Sequence, residues 1–132
     1  MISVALAARL AEAGLRWQPA RGDRFVIPGR GMDTEVFVVS DMSVEIHQFP
    51  SGPVIGFNGT VEWALDSVEV SAALWLPDEA ALRDRLAGTF VQLRREGERY
   101  RVELAVAGRR VIVEAGDAAE AYGLALAHLI IG

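Results

Sequence analysis

The chain is 132 residues long, carries thirteen basic residues against eighteen carboxylates for a net charge of −5, and contains no cysteine. That length suits one domain with a core of its own, and without thiols there are neither disulfides nor thiolate zinc sites, so a cytoplasmic setting is expected. The negative balance argues against nucleic-acid binding, which draws its affinity from clustered positive charge.

The charge is also segregated. From Met32 through Leu82 there is no Lys or Arg, yet the run holds Asp33, Glu35, Asp41, Glu45, Glu62, Asp66, Glu69, Asp78 and Glu79, a formal −9. The residues before it come to +3 and those after it to +1. Such a block predicts an acidic surface suited to a cationic partner. The first residues lack a basic segment ahead of the apolar one, and Arg9 and Glu12 interrupt it, so a secretory signal is not expected.

In chain order, Ile2, Leu6, Leu10 and Ala13 recur at helical spacing. Ser3 suits a cap and Gly14 suits the left-handed position that ends a helix, so the first helix is predicted over about 3–13. A meander of four strands follows, over 24–27, 35–40, 43–49 and 53–57, separated by Pro28-Gly29-Arg30-Gly31, Asp41-Met42, Pro50-Ser51-Gly52 and Asn58-Gly59. Residues 60–70 fit no single period and are assigned a short helix. After Pro77, the acids Asp78 and Glu79 favour a helix start, and the stripe Leu82, Leu86, Phe90, Leu93 extends that second helix over about 78–93.

Tyr100, Val102, Leu104 and Val106 then alternate with Arg99, Arg101, Glu103 and Ala105, the mark of a strand with one dry face. Ala107-Gly108 turns it into a second strand over 109–114. Asp117 with Glu120 starts a third helix that runs to about Ile131. Its apolar stretch is interrupted by Glu120 and His128 and falls short of the ~20 residues of a membrane span. The expected architecture is a single α+β domain over 1–132: an antiparallel β-meander and a C-terminal β-hairpin packed with three main helices, order αββββ(α)αββα.

Signatures of several reaction classes are missing. With no lysine in the chain there is no Walker-type phosphate cradle, and there is no G-x-S-x-G or H-E-x-x-H. His47 is the more informative of the two histidines. Strand periodicity puts Ser43, Glu45 and His47 on one face, with Asp41 at the turn before them. Asp41, Glu45 and His47 are therefore candidate ligands for a divalent metal, or a base with its orienting carboxylate. The plainer reading, which two ligands alone do not displace, is that Glu45 and His47 form the wet face of an ordinary antiparallel strand.

The second candidate is Asn58-Gly59-Thr60-Val61-Glu62-Trp63. On a helix Glu62 and Asp66, four apart, would flank Trp63 in a shallow acidic pocket with Asn58 at its turn; the alternative is a turn followed by a core tryptophan. Arg94, Arg95, Arg99, Arg101, Arg109 and Arg110 cluster late in the chain as a solvated strand face or an interaction surface.

Taken together, Ala13-Gly14-Leu15-Arg16-Trp17-Gln18-Pro19, Gly22-Asp23-Arg24-Phe25, Val39-Ser40-Asp41-Met42, the stretch from Gly56 to Asp66, Leu74-Trp75-Leu76-Pro77 and the Ala121-Tyr122-Gly123-Leu124-Ala125-Leu126 ending resemble short proteins of high-GC Gram-positive bacteria that carry the label pilus assembly protein CpaE. The C-terminal half also resembles small phage-associated and mobile-element proteins. The first resemblance implies an accessory role in pilus or secretion assembly, and neither brings a functional residue with it. The expectation is a cytoplasmic, non-enzymatic interaction module without a cofactor, meeting a protein partner or a second copy of itself as a homodimer. The alternative is a metal-dependent hydrolase or small-ligand binder.

Overall fold

The computed structural model of the protein describes residues 1–29, 31–39, 44–49, 52–57 and 67–132. In chain order these form α1 (Val4–Glu12), β1 (Arg24–Ile27), β2 (Met32–Val38), β3 (Val44–Phe49), β4 (Gly52–Phe57), β5 (Ser67–Glu69), β6 (Leu74–Leu76), α2 (Glu79–Leu86), β7 (Phe90–Glu96), β8 (Arg99–Val106), β9 (Arg109–Ala115) and α3 (Ala118–Ile131). The class is α+β, as the sequence predicts. Among the described residues the strands make three antiparallel sheets, ordered β2-β1-β6, β3-β4-β5 and β7-β8-β9. The chain organises into two compact units, one of Met1–Arg16 with Pro77–Gly132 and one of Trp17–Leu76.

In the first unit α3 is the hub. Its residues Ala119, Ala121, Tyr122, Gly123, Ala125, Leu126 and Ala127 are buried, which the small side chains permit because neighbouring elements can approach closely. Gly123 shows how close: a methyl group there would lie 2.8 Å from Leu6 Cδ2 and 3.0 Å from Ile2 Cδ1. Helix α1 and the residues leading into it therefore seat Ile2, Leu6 and Leu10, all at most 3% exposed, with Ile2 and Leu6 at this notch. Ser3 caps α1 by accepting from the Leu6 amide at 3.2 Å, and Gly14 takes φ +108° just past the helix end, where a Cβ would be strained.

Asp117 caps α3 by accepting from the Glu120 amide. The reciprocal half of the expected capping box is absent. Glu120 instead reaches the other helix, accepting from the Ser3 amide at 2.8 Å and the Ser3 hydroxyl at 2.9 Å. Asp117 also accepts from the Met1 amine at 2.8 Å. The two helix starts are thus laced together by side chains that sequence spacing assigns to one helix.

The second helix is shorter than its hydrophobic stripe implies. It starts at the cap Asp78, which accepts from the Ala81 amide, and ends at Leu86. Ala87 then turns to φ +52°, Thr89 donates its hydroxyl to the Leu86 carbonyl at 2.6 Å, and the chain enters β7 at Phe90. The stripe continued for a different reason. Between Phe90 and Gln92 the pairing with β8 shifts, so that Phe90 opposes Leu104 and Leu93 opposes Val102. This bulge holds one extra residue, Val91, and lets two positions three apart face the same way. In sequence that spacing imitates a helix.

The β8–β9 hairpin forms as predicted, with Val102 and Leu104 fully buried and Ala107 and Gly108 both at positive φ in the turn. Tyr122 of α3 packs on Phe90 with ring centroids 5.7 Å apart.

In the second unit β1 lies between β2 and β6. Phe25, Ile27 and Val39 form a buried cluster, with Trp17, Phe37, Val70 and Ala73 packed against it. Leu74-Trp75-Leu76, which the sequence pattern left unassigned, pairs with β1 in the register Arg24↔Leu76, Phe25↔Trp75, Val26↔Leu74. The helix expected over 60–70 is corrected where it is described: Ser67–Glu69 is a strand on β4, with Ile55 opposite Val68. Its β-branched Val68 gains a ladder partner there that an isolated turn of helix would lack. No helix among the described residues is long and apolar enough to cross a membrane.

Candidate functional site

Of the residues singled out in the sequence, Glu45 and His47 lie two apart on β3, opposite Gly56 and Val54 of β4. Asp41, Asn58, Glu62, Trp63 and Asp66 lie outside the described residues. Among the described residues no three His, Asp or Glu side chains gather as a metal-holding group. His128, on the last turn of α3, is exposed.

What the fold does to the acidic run is clearer. The Trp17–Leu76 unit contains three arginines against eight carboxylates, a formal −5, whereas the other unit contains ten of each and is neutral. The entire net charge of the protein therefore falls on one unit. Asp78 and Glu79, the last acids of the run, belong to the neutral unit, where Asp78 serves as a helix cap. Glu35 and Glu69, in the acidic unit, are exposed.

The same unit carries a row of aromatic rings. Trp75 stacks near-parallel on Trp17 at 6.5 Å and 10°, Trp17 meets Phe25 at 5.4 Å, and Phe25 meets Phe37 at 5.5 Å. Trp17, Phe37 and Trp75 are only half-buried. Asp23 anchors the row, accepting from Trp17 Nε1 at 2.9 Å and from the Ala20 amide at 3.0 Å. Its backbone carbonyl takes the Val39 amide at 2.9 Å, which ties the 17–23 loop to the end of β2. Half-exposed indoles in an acidic setting attract cations through both the ring quadrupole and the surrounding field. Sequence reasoning did not find this group, because Trp17 and Asp23 meet through a side-chain hydrogen bond within an irregular loop, Trp75 is brought beside them by the pairing of β6 with β1, and no local period marks them.

The arginine cluster of the neutral unit has a different fate. On β7–β9, Arg101 lies 3.2 Å from Glu96 and 2.8 Å from Glu114. Arg110 lies 2.9 Å from Glu103, and Arg94 lies 3.6 Å from Glu96. Arg94, Arg101 and Arg110 are thus paired with carboxylates of their own sheet, while Arg95 donates to the Gly97 carbonyl at 3.0 Å, so half of the cluster is spent on ion pairs within the sheet. Arg83 meets the Tyr122 hydroxyl, which raises the arginine's pKa above its ordinary value.

No protein-family model, no curated protein and no solved structure gives a significant match to this chain.

Proposed function

We propose that the protein is a binding module without chemistry of its own, whose Trp17–Leu76 unit docks a cationic segment of a protein partner. The partition of charge carries this proposal: eight carboxylates against three arginines in one unit, beside a unit in balance. The half-buried Trp17 and Trp75 supply ring faces on which arginine side chains stack favourably. The attraction is long-ranged and falls with ionic strength, since the screening length shrinks to about 8 Å near physiological salt.

A titration with an arginine-rich peptide and a matched glutamate-rich peptide, followed by tryptophan fluorescence in low and high salt, tests it. The basic peptide is expected to bind and to weaken as salt is raised. Equal binding of both peptides, or none at low salt, overturns the proposal. Light scattering on the same samples distinguishes a partner complex from pairing of the chain with itself.

A further inference from the structure

We propose that the protein pairs with a second copy of itself along the outer edge of β9, the two strands running antiparallel about a two-fold axis at Ile112. In the sheet ordered β7-β8-β9, β7 and β9 are the outer strands. The pairing of β7 with β8 shifts between Phe90 and Gln92, whereas β9 pairs with β8 without a break from Arg109 to Ala115. Among the described residues β8 is the one strand that pairs with β9. The centre of β9 is Val111, Ile112 and Val113, all β-branched, suited to a ladder and each half-buried. Neither proline nor glycine interrupts the strand, and its charged residues stand at the flanks.

The hairpin turn fixes which main-chain groups face outward. Val106 pairs with Arg109 across the loop Ala107-Gly108, both of whose residues are at positive φ, and a loop of this kind is closed by a hydrogen-bonded pair. Hydrogen-bonded and open pairs alternate from there along an antiparallel ladder. Arg109, Val111, Val113 and Ala115 therefore turn their N–H and C=O to β8, while Arg110, Ile112 and Glu114 turn theirs to the open edge. The segment Arg110-Val111-Ile112-Val113-Glu114 is its own complement. With Ile112 opposite Ile112 of the second copy, Arg110 faces its Glu114 and Glu114 faces its Arg110, and each of these pairs exchanges both N–H···O bonds. The same register sets Val111 against Val113 on the face that bears the buried Val102 and Leu104. A slip of two residues loses both charge pairs, and a slip of four sets Arg110 on Arg110 or Glu114 on Glu114. The pairs Arg110 with Glu103 and Glu114 with Arg101 stay in place, because a guanidinium has five donors and a carboxylate about four acceptor sites. With Arg110 66% and Glu114 42% exposed, the charges between copies select partner and register, and the main-chain bonds supply the attachment.

The test is sedimentation velocity of the full chain over a wide range of concentration, with charge-reversed variants. The parent is expected to pass from monomer to dimer as concentration rises. Arg110→Glu alone sets like charges against each other at both ends of the seam, as does Glu114→Arg alone, and each is expected to dimerise roughly tenfold or more weakly. An equimolar mixture of the two is expected to dimerise as the parent does, because the new carboxylate of one chain faces the new guanidinium of the other while the untouched Glu114 faces the untouched Arg110. Damage inside either chain persists in the mixture, so recovery reports contact between chains. Ile112→Pro removes the central outward N–H without touching the ladder to β8, and is expected to leave a monomer with the circular dichroism of the parent. The chain has no cysteine, so Ile112→Cys is expected to oxidise to a covalent dimer across a Cα separation of about 5.5 Å, well ahead of Gln92→Cys on β7. A parent that stays monomeric, single variants that pair like the parent, a mixture that does not recover, pairing that survives Ile112→Pro, or equal oxidation at both positions each overturns the proposal. None of these results bears on cationic peptides at the Trp17–Leu76 unit, so the two proposals fail separately.

Discussion

The two units deploy the same residue types to opposite effect. In the unit of Met1–Arg16 and Pro77–Gly132, ten arginines stand against ten carboxylates, and some are spent on each other: Arg101 on Glu96 and Glu114, Arg110 on Glu103. In the Trp17–Leu76 unit the acids outnumber the arginines by five. Exposed ion pairs contribute roughly 0–1 kcal/mol each, whereas truncating a buried leucine or phenylalanine costs about 2–5 kcal/mol. The balanced charges of the first unit therefore add little to stability beside Leu10, Leu82, Val102 and Leu104. Surplus charge in the second destabilises its compact state by self-repulsion, and an aromatic cluster has to offset it. Imbalance that costs stability is the kind of feature function retains.

The sharpest way to break the comparison is to empty each core in turn. Phe25→Ala removes the ring between Trp17 and Phe37 and is expected to cost about 3–5 kcal/mol. Hydrogen exchange should show lost protection over the Trp17–Leu76 unit, with amides of α3 the last to open. Leu104→Ala, fully buried on β8, is expected to cost about 2–5 kcal/mol and to expose the other unit first. If both variants open all amides together, the units share one cooperative transition.

Next in size are the laced helix starts. Ser3→Ala removes the α1 cap and a hydrogen bond to Glu120, and a loss of about 1 kcal/mol is expected in denaturant melts. Smaller again is Asp117. The Met1 amine beside it, with help from the Glu120 amide, holds its carboxyl below the ordinary carboxylate value. A depressed acid stabilises the fold above its ordinary value of 3.8 and loses that contribution as pH falls through the lower folded value. Both partners are about half exposed, so screening keeps the effect under about 1 kcal/mol. Asp117→Asn is expected to flatten that part of the acid limb in a stability profile from pH 2 to 5.

The smallest expected effect is Arg110→Gln. It breaks the pair with Glu103, yet Arg110 is largely in water, so the melting free energy is expected to move by less than about 1 kcal/mol. Adding salt to the parent should reproduce most of the change. A larger loss would mean that the ladder of ion pairs also fixes the strand register.

Much of the neutral unit was legible in advance. The Ser3 and Asp117 caps, the Gly14 terminator and the alternating Tyr100–Val106 strand are local patterns, and local patterns survive folding. The second helix misled because the bulge at Val91 put Phe90 and Leu93 on one face at a spacing of three. Ser67–Glu69 misled because its strand character comes from β4, which the segment does not contain. The acidic run was visible as a contiguous block, but its division was not: Asp78 and Glu79 pass to the other unit. The Trp17–Asp23–Trp75 arrangement had no sequence signature at all, since its members come from a loop and a strand far apart in the chain.

Val91 has one more consequence. It is 49% exposed on β7, an outer strand of its sheet, and a regular outer strand with a protruding valine would be a template for another chain to add to. The irregular pairing twists the hydrogen-bonding row out of line and spoils that template. The residue that disguises β7 as helix in the sequence is thus also a device of the kind that makes an outer strand a poorer template for edge-to-edge addition.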